Sequence, residues 1–302
     1  MGGKPKYQIA KTLVKPERRE VYLLKGTDGS EVVLKVFFGS NPWMKKRFLR
    51  EQIALDVLQG LAVPKRIKIS RSEVAKLVKQ KTFSFTAVER ISYPDCYRRA
   101  LSTAEALGLW AFTLEQLCAF RRRQVLYTDM KDDHVMLAAD HSAAVIIDFN
   151  DCVMVEPSGQ YPFEFLGVTP ALAAPEFYFS KTLAESVVVY QAGMLLGSLI
   201  NGYFRNVQLG AKEFDHIKRD LFRHKAQDIF DLFKKCVAKN PLERPQSFET
   251  LFSKLARCQL PAQSLKMWAE LRNPYGQALT DLGFKEPVTS KISKLNSGKK
   301  AS

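Results

Sequence analysis

The first ninety residues alternate between apolar and polar positions with the period of β-strands. The segments "YQIAKTL", "REVYLLKG" and "EVVLKVFF" are short and rich in β-branched and aromatic residues, which is typical of strands. The connector "GTDGS" between the last two predicts a hairpin turn. "VAKLVKQ" and "FSFTAVERI" have the same strand character. Residues 1–91 are therefore predicted to form a mostly antiparallel sheet, accompanied by one helix.

Apolar residues three and four positions apart mark the helices. "NPWMKKRFLREQIALDVLQGL" begins with Asn-Pro and ends near Gly60, as a helix with start and stop signals does. After residue 91 this period dominates, beginning with "TAEALGLWAFTLEQLCAFRRR", and it predicts further helices near 185–201, 211–239 and 246–257. One apolar strand, "AAVIIDF", interrupts them.

These patterns predict an α+β protein in three parts. A small β-rich part covers residues 1–91, and a larger helical part covers 92–265. A C-terminal extension covers 266–302 and ends in a polar, basic segment, "KEPVTSKISKLNSGKKAS". A segment of that composition buries too little apolar surface to fold, so we expect disorder there.

Composition narrows the partners and the compartment. The net charge of +15 favours an acidic protein, an anionic surface or phosphates, unless it is simply a solvated basic surface. No motif indicates nucleic acid. The five cysteines are scattered without Cys-x-x-Cys spacing, which fits a reducing compartment. The start lacks an apolar signal region, and no apolar stretch is long enough to span a bilayer. We therefore expect a cytoplasmic protein, in a host cell if it is a secreted effector.

The segment "YTDMKDDHVML", residues 127–137, places charged side chains among apolar ones. A plain strand or helix does not need them there, so the segment is either a solvated turn or a site. Lys35 and Asp148 are likewise charged residues in otherwise apolar strands. Lys35 lies between apolar strand residues, where a lysine is costly unless it is paired, and Glu51 follows 16 residues later in a predicted helix. Asp148 ends the apolar strand "VIID".

In chain order, seven segments resemble the markers of the eukaryotic-type protein kinase fold. "VVLKVF" resembles the Val-Ala-Ile-Lys strand, "RE" the αC glutamate, "YTDMKDDHVML" the catalytic loop and "IIDFN" the Asp-Phe-Gly motif. "GVTPALAAPE", "VVVYQAGMLLG" and "NPLERP" resemble the Ala-Pro-Glu segment, the buried αF helix and the late arginine. The resemblance implies a bilobal protein-kinase-like fold, with an antiparallel β-rich N-lobe that carries one αC-like helix and an α-helical C-lobe.

The resemblance also implies a role for individual residues. Asp129 would orient the attacking hydroxyl and accept its proton, and Lys131 would neutralise the transferred phosphoryl group, as in Ser/Thr-type kinases. Glu176 would pair with Arg244, and Thr169 would contact Asp129 and Lys131. The implied ATP-binding residues are Lys35, Glu51, Glu89, Asp148, Arg18 and Arg19. The implied ligands of Mg²⁺, with Mn²⁺ as an alternative, are Asp148 and His134.

The nucleotide-binding part of the pattern is incomplete. The glycine-rich loop is replaced by "LVKPERRE", which cannot lay bare backbone amides over phosphates. Either Lys15, Arg18 or Arg19 holds the phosphates by charge, or ATP binds weakly or not at all.

The catalytic loop departs from the family as well. Tyr127-Thr128 replaces its His-Arg, so we expect activity that does not depend on phosphorylation of the activation segment. His134 replaces its asparagine, and imidazole suits Mn²⁺ or Zn²⁺ better than Mg²⁺. Asp132 or Asp133 could supply an oxygen to a second metal ion, but the expectation is that both face solvent. The αF aspartate that holds this loop is Val188, so another group must take its place.

The expected function is transfer of the γ-phosphate of ATP to a Ser/Thr hydroxyl of a protein substrate. Two alternatives stay open. The missing glycines, His134 and Val188 also suit a pseudokinase that acts as a scaffold or allosteric partner. The second alternative is a kinase-fold enzyme that phosphorylates a small molecule or transfers a nucleotide.

Overall fold

The computed structural model describes residues 6–15, 18–96, 100–155, 161–162, 167–179, 182–201 and 209–285. The chain is α+β, with a four-stranded antiparallel sheet at its N-terminal end and a helical part after it. The strands are β1 (Tyr7–Val14), β2 (Arg19–Gly26), β3 (Glu31–Phe38), β4 (Phe83–Glu89), β5 (Val125–Leu126), β6 (Val135–Leu137), β7 (Ala144–Ile146), β8 (Val153–Met154), β9 (Tyr161–Pro162) and β10 (Thr182–Leu183). The helices are α1 (Pro42–Val57), α2 (Arg71–Val78), α3 (Thr103–Arg122), α4 (Glu185–Asn201), α5 (Ala211–Arg223), α6 (Gln227–Cys236), α7 (Phe248–Leu255), α8 (Ala262–Arg272) and α9 (Gly276–Asp281).

The sheet follows chain order, β1-β2-β3-β4, with each neighbouring pair antiparallel. The predicted turn joins β2 to β3, where Gly26 N donates to Ser30 O at 2.7 Å and Asp28 Oδ1 accepts from Ser30 N at 2.9 Å. Alternate residues of β3, among them Leu34, are buried on one face of the sheet. Since side chains alternate along a strand, Lys35 points to the opposite face.

The prediction of a strand at "VAKLVKQ" is wrong, because its first five residues, 74–78, belong to α2. The signal that decides this is a capping box. Ser70 Oγ accepts from Glu73 N at 3.2 Å, and Ser70 N donates to Glu73 Oε2 at 3.1 Å. The box satisfies two of the free amides at the helix start, which favours a helix over a short strand. Val74 is buried from α2 into the small core of the sheet.

Two helices form the centre of the helical part. α3 and α4 are buried on nearly all sides, and Trp110 Nε1 of α3 donates to Ala192 O of α4 at 2.8 Å. The boundary predicted between residues 265 and 266 falls inside α8. This helix packs on α3 and buries Met267 and Trp268 in the main core. The tail beyond 285 lies outside the described residues.

Among the described residues, none of the helices combines the length and the apolar composition that crossing a membrane requires.

Candidate functional site

Lys35, Glu51 and Asp148 form a partly buried ion cluster. Lys35 Nζ lies 2.6 Å from Glu51 Oε1 and 3.0 Å from Asp148 Oδ1, and Glu51 is only 1% exposed. Burial lowers the pKa of Lys35, but the carboxylates of Asp148 and Glu51 outweigh it, so the pKa lies above its ordinary value. The pairing that the sequence predicted for Lys35 and Glu51 is confirmed, and Asp148 joins it from 113 residues away.

The start of α1 fixes the position of Glu51. Asn41 caps the helix, since its Oδ1 accepts from Trp43 N at 2.9 Å and from Met44 N at 3.3 Å, and Pro42 occupies the first turn. These residues set the helix start as expected for an Asn-Pro signal. The helix then crosses the face of the sheet that carries Lys35.

Asp148 follows β7 with a φ of 64°, in the left-handed region that an aspartate enters only at a cost. Its two carboxylate oxygens have different surroundings. Oδ1 accepts from Lys35 and from Asn150 Nδ2, whereas Oδ2 lies 3.5 Å from His134 Nε2 and 3.9 Å from Arg19 Nη2. Burial raises the pKa of Asp148, but the charge of Lys35 and its hydrogen bond outweigh it and hold that pKa well below its ordinary value.

The hydrogen bonds of His134 fix its tautomer. Tyr127 Oη lies 2.7 Å from Ile147 O, and His134 Nδ1 lies 3.0 Å from Asp129 O and 2.9 Å from Tyr127 Oη. Both carbonyls can only accept, so Tyr127 donates to Ile147 and Nδ1–H donates to Asp129. Nε2 therefore presents a lone pair to Asp148. Burial lowers the pKa of His134 to about 4, so the ring is neutral at neutral pH.

A lone pair facing a carboxylate oxygen is the arrangement of two ligands of one cation. The separation of 3.5 Å between Nε2 and Oδ2 is near the roughly 3 Å between neighbouring ligands of an octahedral ion with bonds of about 2.1 Å. The described residues contain no group of three or more His, Cys, Asp or Glu side chains placed to hold a metal. His134 and Asp148 thus fit a metal whose other ligands come from water and phosphate oxygens, as Mg²⁺ commonly binds.

The two carboxylate oxygens of Asp129 have different partners. Thr169 donates to Oδ1 from its backbone N at 3.1 Å and from Oγ1 at 3.0 Å, so the predicted contact between these two residues is confirmed. Oδ2 lies 3.4 Å from Lys131 Nζ. Lys131 also lies 3.9 Å from Asp133 Oδ1. A base and a cation therefore lie side by side near His134 and Asp148.

Asp132 anchors this loop, and the expectation that it faces solvent is wrong. It is 4% exposed, and its Oδ2 accepts from Ser198 Oγ of α4 at 2.8 Å. Val188 of the same helix is 1% exposed and holds no polar group. The loop thus supplies the carboxylate and the helix supplies the hydroxyl, so the buried carboxylate of Asp132 has a hydrogen-bond donor.

Asp151 links α1 to the segment that carries Thr169. Its carboxylate accepts from Arg47 of α1 and, at 2.8 Å, from Gly167 N. Its carbonyl accepts from Thr128 Oγ1. Burial raises the pKa of Asp151, and the Arg47 charge opposes this. Through its carboxylate and its backbone carbonyl, Asp151 therefore joins α1, the segment 127–137 and the segment that carries Thr169.

Glu176 and Arg244 form the predicted ion pair. Arg244 Nη1 and Nη2 donate to the two oxygens of Glu176 at 2.5 and 2.9 Å. The Arg244 side chain is fully buried and also donates to the carbonyls of Ala238, Lys239 and Ser186. This pair is confirmed as a contact, and its position in the helical part gives it a structural role.

The remaining predicted ATP-binding residues differ in position. Arg19, at the start of β2, approaches Asp148. Arg18 is exposed, and its carbonyl accepts from Phe38 N at 2.9 Å. Glu89 Oε1 accepts from Lys65 N at 2.7 Å, which holds the chain beside β4. Contacts with ATP stay predictions for all three.

The sequence did not single out three residues of this site: Arg47, Asp151 and Ser198. Tyr127 was noted only as a departure from the family's pattern. A scan against models of protein families finds no match for the chain, and a search of curated proteins finds none.

Proposed function

We propose that this protein is a divergent protein kinase of bilobal fold, which transfers the γ-phosphate of ATP to a Ser/Thr hydroxyl of a protein substrate. One observation carries the proposal. Lys35, Glu51 and Asp148 from three segments converge with Asp129, Lys131 and His134 of a fourth on one place. Folding a lysine and carboxylates into one buried cluster is costly, and phosphoryl transfer is a chemistry that uses such a cluster.

Two cations are placed to hold the phosphates. Lys35 is fixed between Glu51 and Asp148, so its ammonium group is oriented before ATP binds. Arg19 reaches the same carboxylate from β2 and supplies a planar donor suited to phosphate oxygens. The charged side chains of Lys35 and Arg19 would thus bind the phosphates in place of the backbone amides of a glycine-rich loop.

The proton acceptor in the transfer step is Oδ2 of Asp129. The acceptor hydroxyl forms a bond to the γ-phosphorus, the bond from that phosphorus to the β–γ bridging oxygen breaks, and ADP leaves with those electrons. The hydroxyl proton moves to Asp129 Oδ2, because Oδ1 is held by Thr169. Lys131, 3.4 Å away, stabilises the charge on the transferred group.

His134 and Asp148 would hold the metal ion. When bound, Mg²⁺ or Mn²⁺ neutralises phosphate charge. Since the imidazole nitrogen is a softer donor than a carboxamide oxygen, the pair favours Mn²⁺ over Mg²⁺. The hydrogen bond from Nδ1 to Asp129 O keeps Nε2 free to serve as a ligand.

The direct test is incubation of the protein with γ-labelled ATP and histone or casein, with Mg²⁺ or Mn²⁺. We expect label on serine or threonine, with more transfer in Mn²⁺. Phosphoamino-acid analysis and mass spectrometry identify the product. Absence of transfer with both metals contradicts the proposal, and a product that carries nucleotide favours the nucleotidyl-transfer alternative.

The pseudokinase is the second candidate, favoured by the sequence "KPERR", which has no glycine where a loop over the phosphates is needed. Thermal unfolding with ATP and Mn²⁺ separates the two. A ligand at 100 times its Kd stabilises a protein by about 2.7 kcal/mol. A scaffold that does not bind nucleotide shows no such shift.

Replacing the β2 arginine tests how phosphates are held. Arg19→Gln should raise the KM for ATP about fivefold, as expected for loss of one partly exposed charge worth about 1 kcal/mol. The kcat should change little, because Arg19 binds the nucleotide before and during transfer alike. Lys25→Gln, an exposed lysine at the far end of β2, is the control. Equal KM values for R19Q and wild type would show that Arg19 does not contact ATP.

A further inference from the structure

The positive charge of the chain is concentrated in its β-rich part. Residues 1–91 contain 20 Lys and Arg against 8 Asp and Glu, whereas residues 92–265 contain 19 against 20. Within the first part, residues 65–81 alone hold seven basic residues and one acidic residue. None of these seven has a role in the proposed phosphoryl transfer, so catalysis does not account for their charge.

α2 lies inside this segment and presents its lysines outward. Val74 is fully buried in one apolar cluster with Leu34 of β3, so α2 covers the face of the sheet opposite to Lys35. Lys76 and Lys79 are exposed and three positions apart, which places them side by side on the outer side of the helix. A ligand bound there would leave the Lys35 side of the sheet uncovered.

Three further exposed cations, Lys6, Arg71 and Lys81, lie around α2. Lys6 Nζ lies 5.2 Å from the centre of the Tyr7 ring, which shares the apolar cluster with Val74. Arg71 Nη2 donates to Lys81 O at 3.5 Å, which joins the two ends of the helical segment. What we call the basic face consists of Lys6, Arg71, Lys76, Lys79 and Lys81.

The acidic residues near the basic face do not neutralise it. Glu73, the one acidic residue of 65–81, is held by the capping box through Ser70 N at 3.1 Å and Ser70 Oγ at 2.7 Å. Among the basic residues of 65–81, Arg66 alone forms an ion pair with a described residue, Asp56. Like charges that the fold holds together repel each other, so an anionic partner that covers them is favoured.

Lys79 carries its charge in an unfavourable backbone conformation. It is the C-cap of α2 and has a φ of 53°, in the left-handed region where glycine is the least costly residue. The fold alone would favour glycine at this position, whereas a cation is useful there if the basic face binds an anion.

We propose that the basic face binds a membrane surface that carries anionic phospholipids. Four of its five cations are lysines, whose compact charge suits diffuse headgroup charge, whereas the planar fork of arginine suits individual phosphates and bases. Residues 70–82 contain no aromatic residue on which a base could stack, which disfavours a single-stranded nucleic acid. The apolar side chains of α2 pack on the sheet, so the contact is electrostatic and involves no insertion into the bilayer.

Sedimentation of the full chain with phosphatidylcholine vesicles that contain roughly 30% phosphatidylserine tests the binding, with pure phosphatidylcholine vesicles as the reference. Lys76→Gln and Lys79→Gly should each weaken partitioning about fivefold, the effect of one cation near an anionic surface. Lys79→Gly should also keep its thermal stability, because glycine tolerates the left-handed backbone. Lys81→Gln, between α2 and β4, should weaken partitioning by a similar factor without altering the helix.

A double variant of α6, Lys234→Gln with Lys235→Gln, is the matched control. It removes two exposed lysines from the last turn of another helix, so its net charge equals that of the variant Lys76→Gln with Lys79→Gly. It should stay within about twofold of wild type, since its charges lie outside the basic face. Equal losses in the two double variants would show that only the total charge matters and would overturn the proposal.

Three other results decide the outcome. Salt raised from about 0.1 to 0.5 M should release the chain from the vesicles, because exposed charges are screened. Equal binding to pure phosphatidylcholine overturns the proposal, and tighter binding to duplex DNA or RNA than to the vesicles at the same salt identifies a nucleic acid as the partner instead. Binding that is lost on deletion of residues 286–302 but unchanged in the α2 variants assigns the contact to the tail. Vesicle binding does not require phosphoryl transfer, so either can fail without the other.

Discussion

Asp148→Asn is expected to reduce phosphoryl transfer by at least about a hundredfold, the loss that follows removal of a strong electrostatic group from a reacting centre. Oδ1 of Asp148 orients Lys35, and Oδ2 faces the lone pair of His134. Asparagine keeps the size of the side chain but loses its charge. It therefore offers a metal a much poorer partner for His134, and the stimulation by Mn²⁺ should disappear.

The fold should tolerate this change, which makes the result interpretable. Lys35 keeps Glu51 as a partner at 2.6 Å, so no buried charge is left alone. Asp140→Asn, in the exposed turn between β6 and β7, is the matched control and should retain full activity. Initial rates with labelled ATP, together with a thermal melt of each variant, give the comparison. Near-normal transfer by a folded D148N protein would rule out the assigned role of Asp148.

The contacts predicted from the sequence were recognised from a local pattern or from the resemblance to a known motif. Lys35 stood out because a lysine between apolar strand residues needs a partner, and the resemblance to protein kinases indicated Glu51 of the next predicted helix. Glu176 and Arg244 stood out because each lies in a segment that resembles a known motif. Local pattern and resemblance were enough for these pairs. The antiparallel order of the sheet likewise followed from short strands joined by turns.

The contacts that were missed depend on the packing of distant segments. Asp132 is buried because α4 passes behind the loop with Ser198 turned towards it, and no local pattern encodes that approach. Arg47 and Asp151 are 104 residues apart and lie in segments that otherwise read as a solvated helix face and a turn. The capping box of α2 is a local signal for a helix, but the apolar run "VAKLVKQ" that follows it predicts a strand.

Glu115 illustrates the same limit in the core. It lies in the middle of α3 and is fully buried, where Arg272 Nε donates to its Oε1 at 2.9 Å and Trp268 Nε1 donates to its Oε2 at 3.0 Å. Burial raises the pKa of Glu115, and the two hydrogen bonds and the Arg272 charge oppose that rise. From the sequence it is one glutamate of a long helix, and its partners lie more than 150 residues away.

Glu115→Ala should therefore destabilise the protein by about 3–5 kcal/mol, since Arg272 is only 4% exposed and would keep a buried, unpaired charge. Urea unfolding measures the change. Glu270→Ala on α8 is the control, because Glu270 is partly exposed and pairs with Lys266 at only 3.7 Å, and it should cost less than about 1 kcal/mol. The double variant E115A/R272M should recover part of the loss, because it removes the stranded charge. If the double variant is no more stable than E115A, lost packing rather than the unpaired arginine determines the cost.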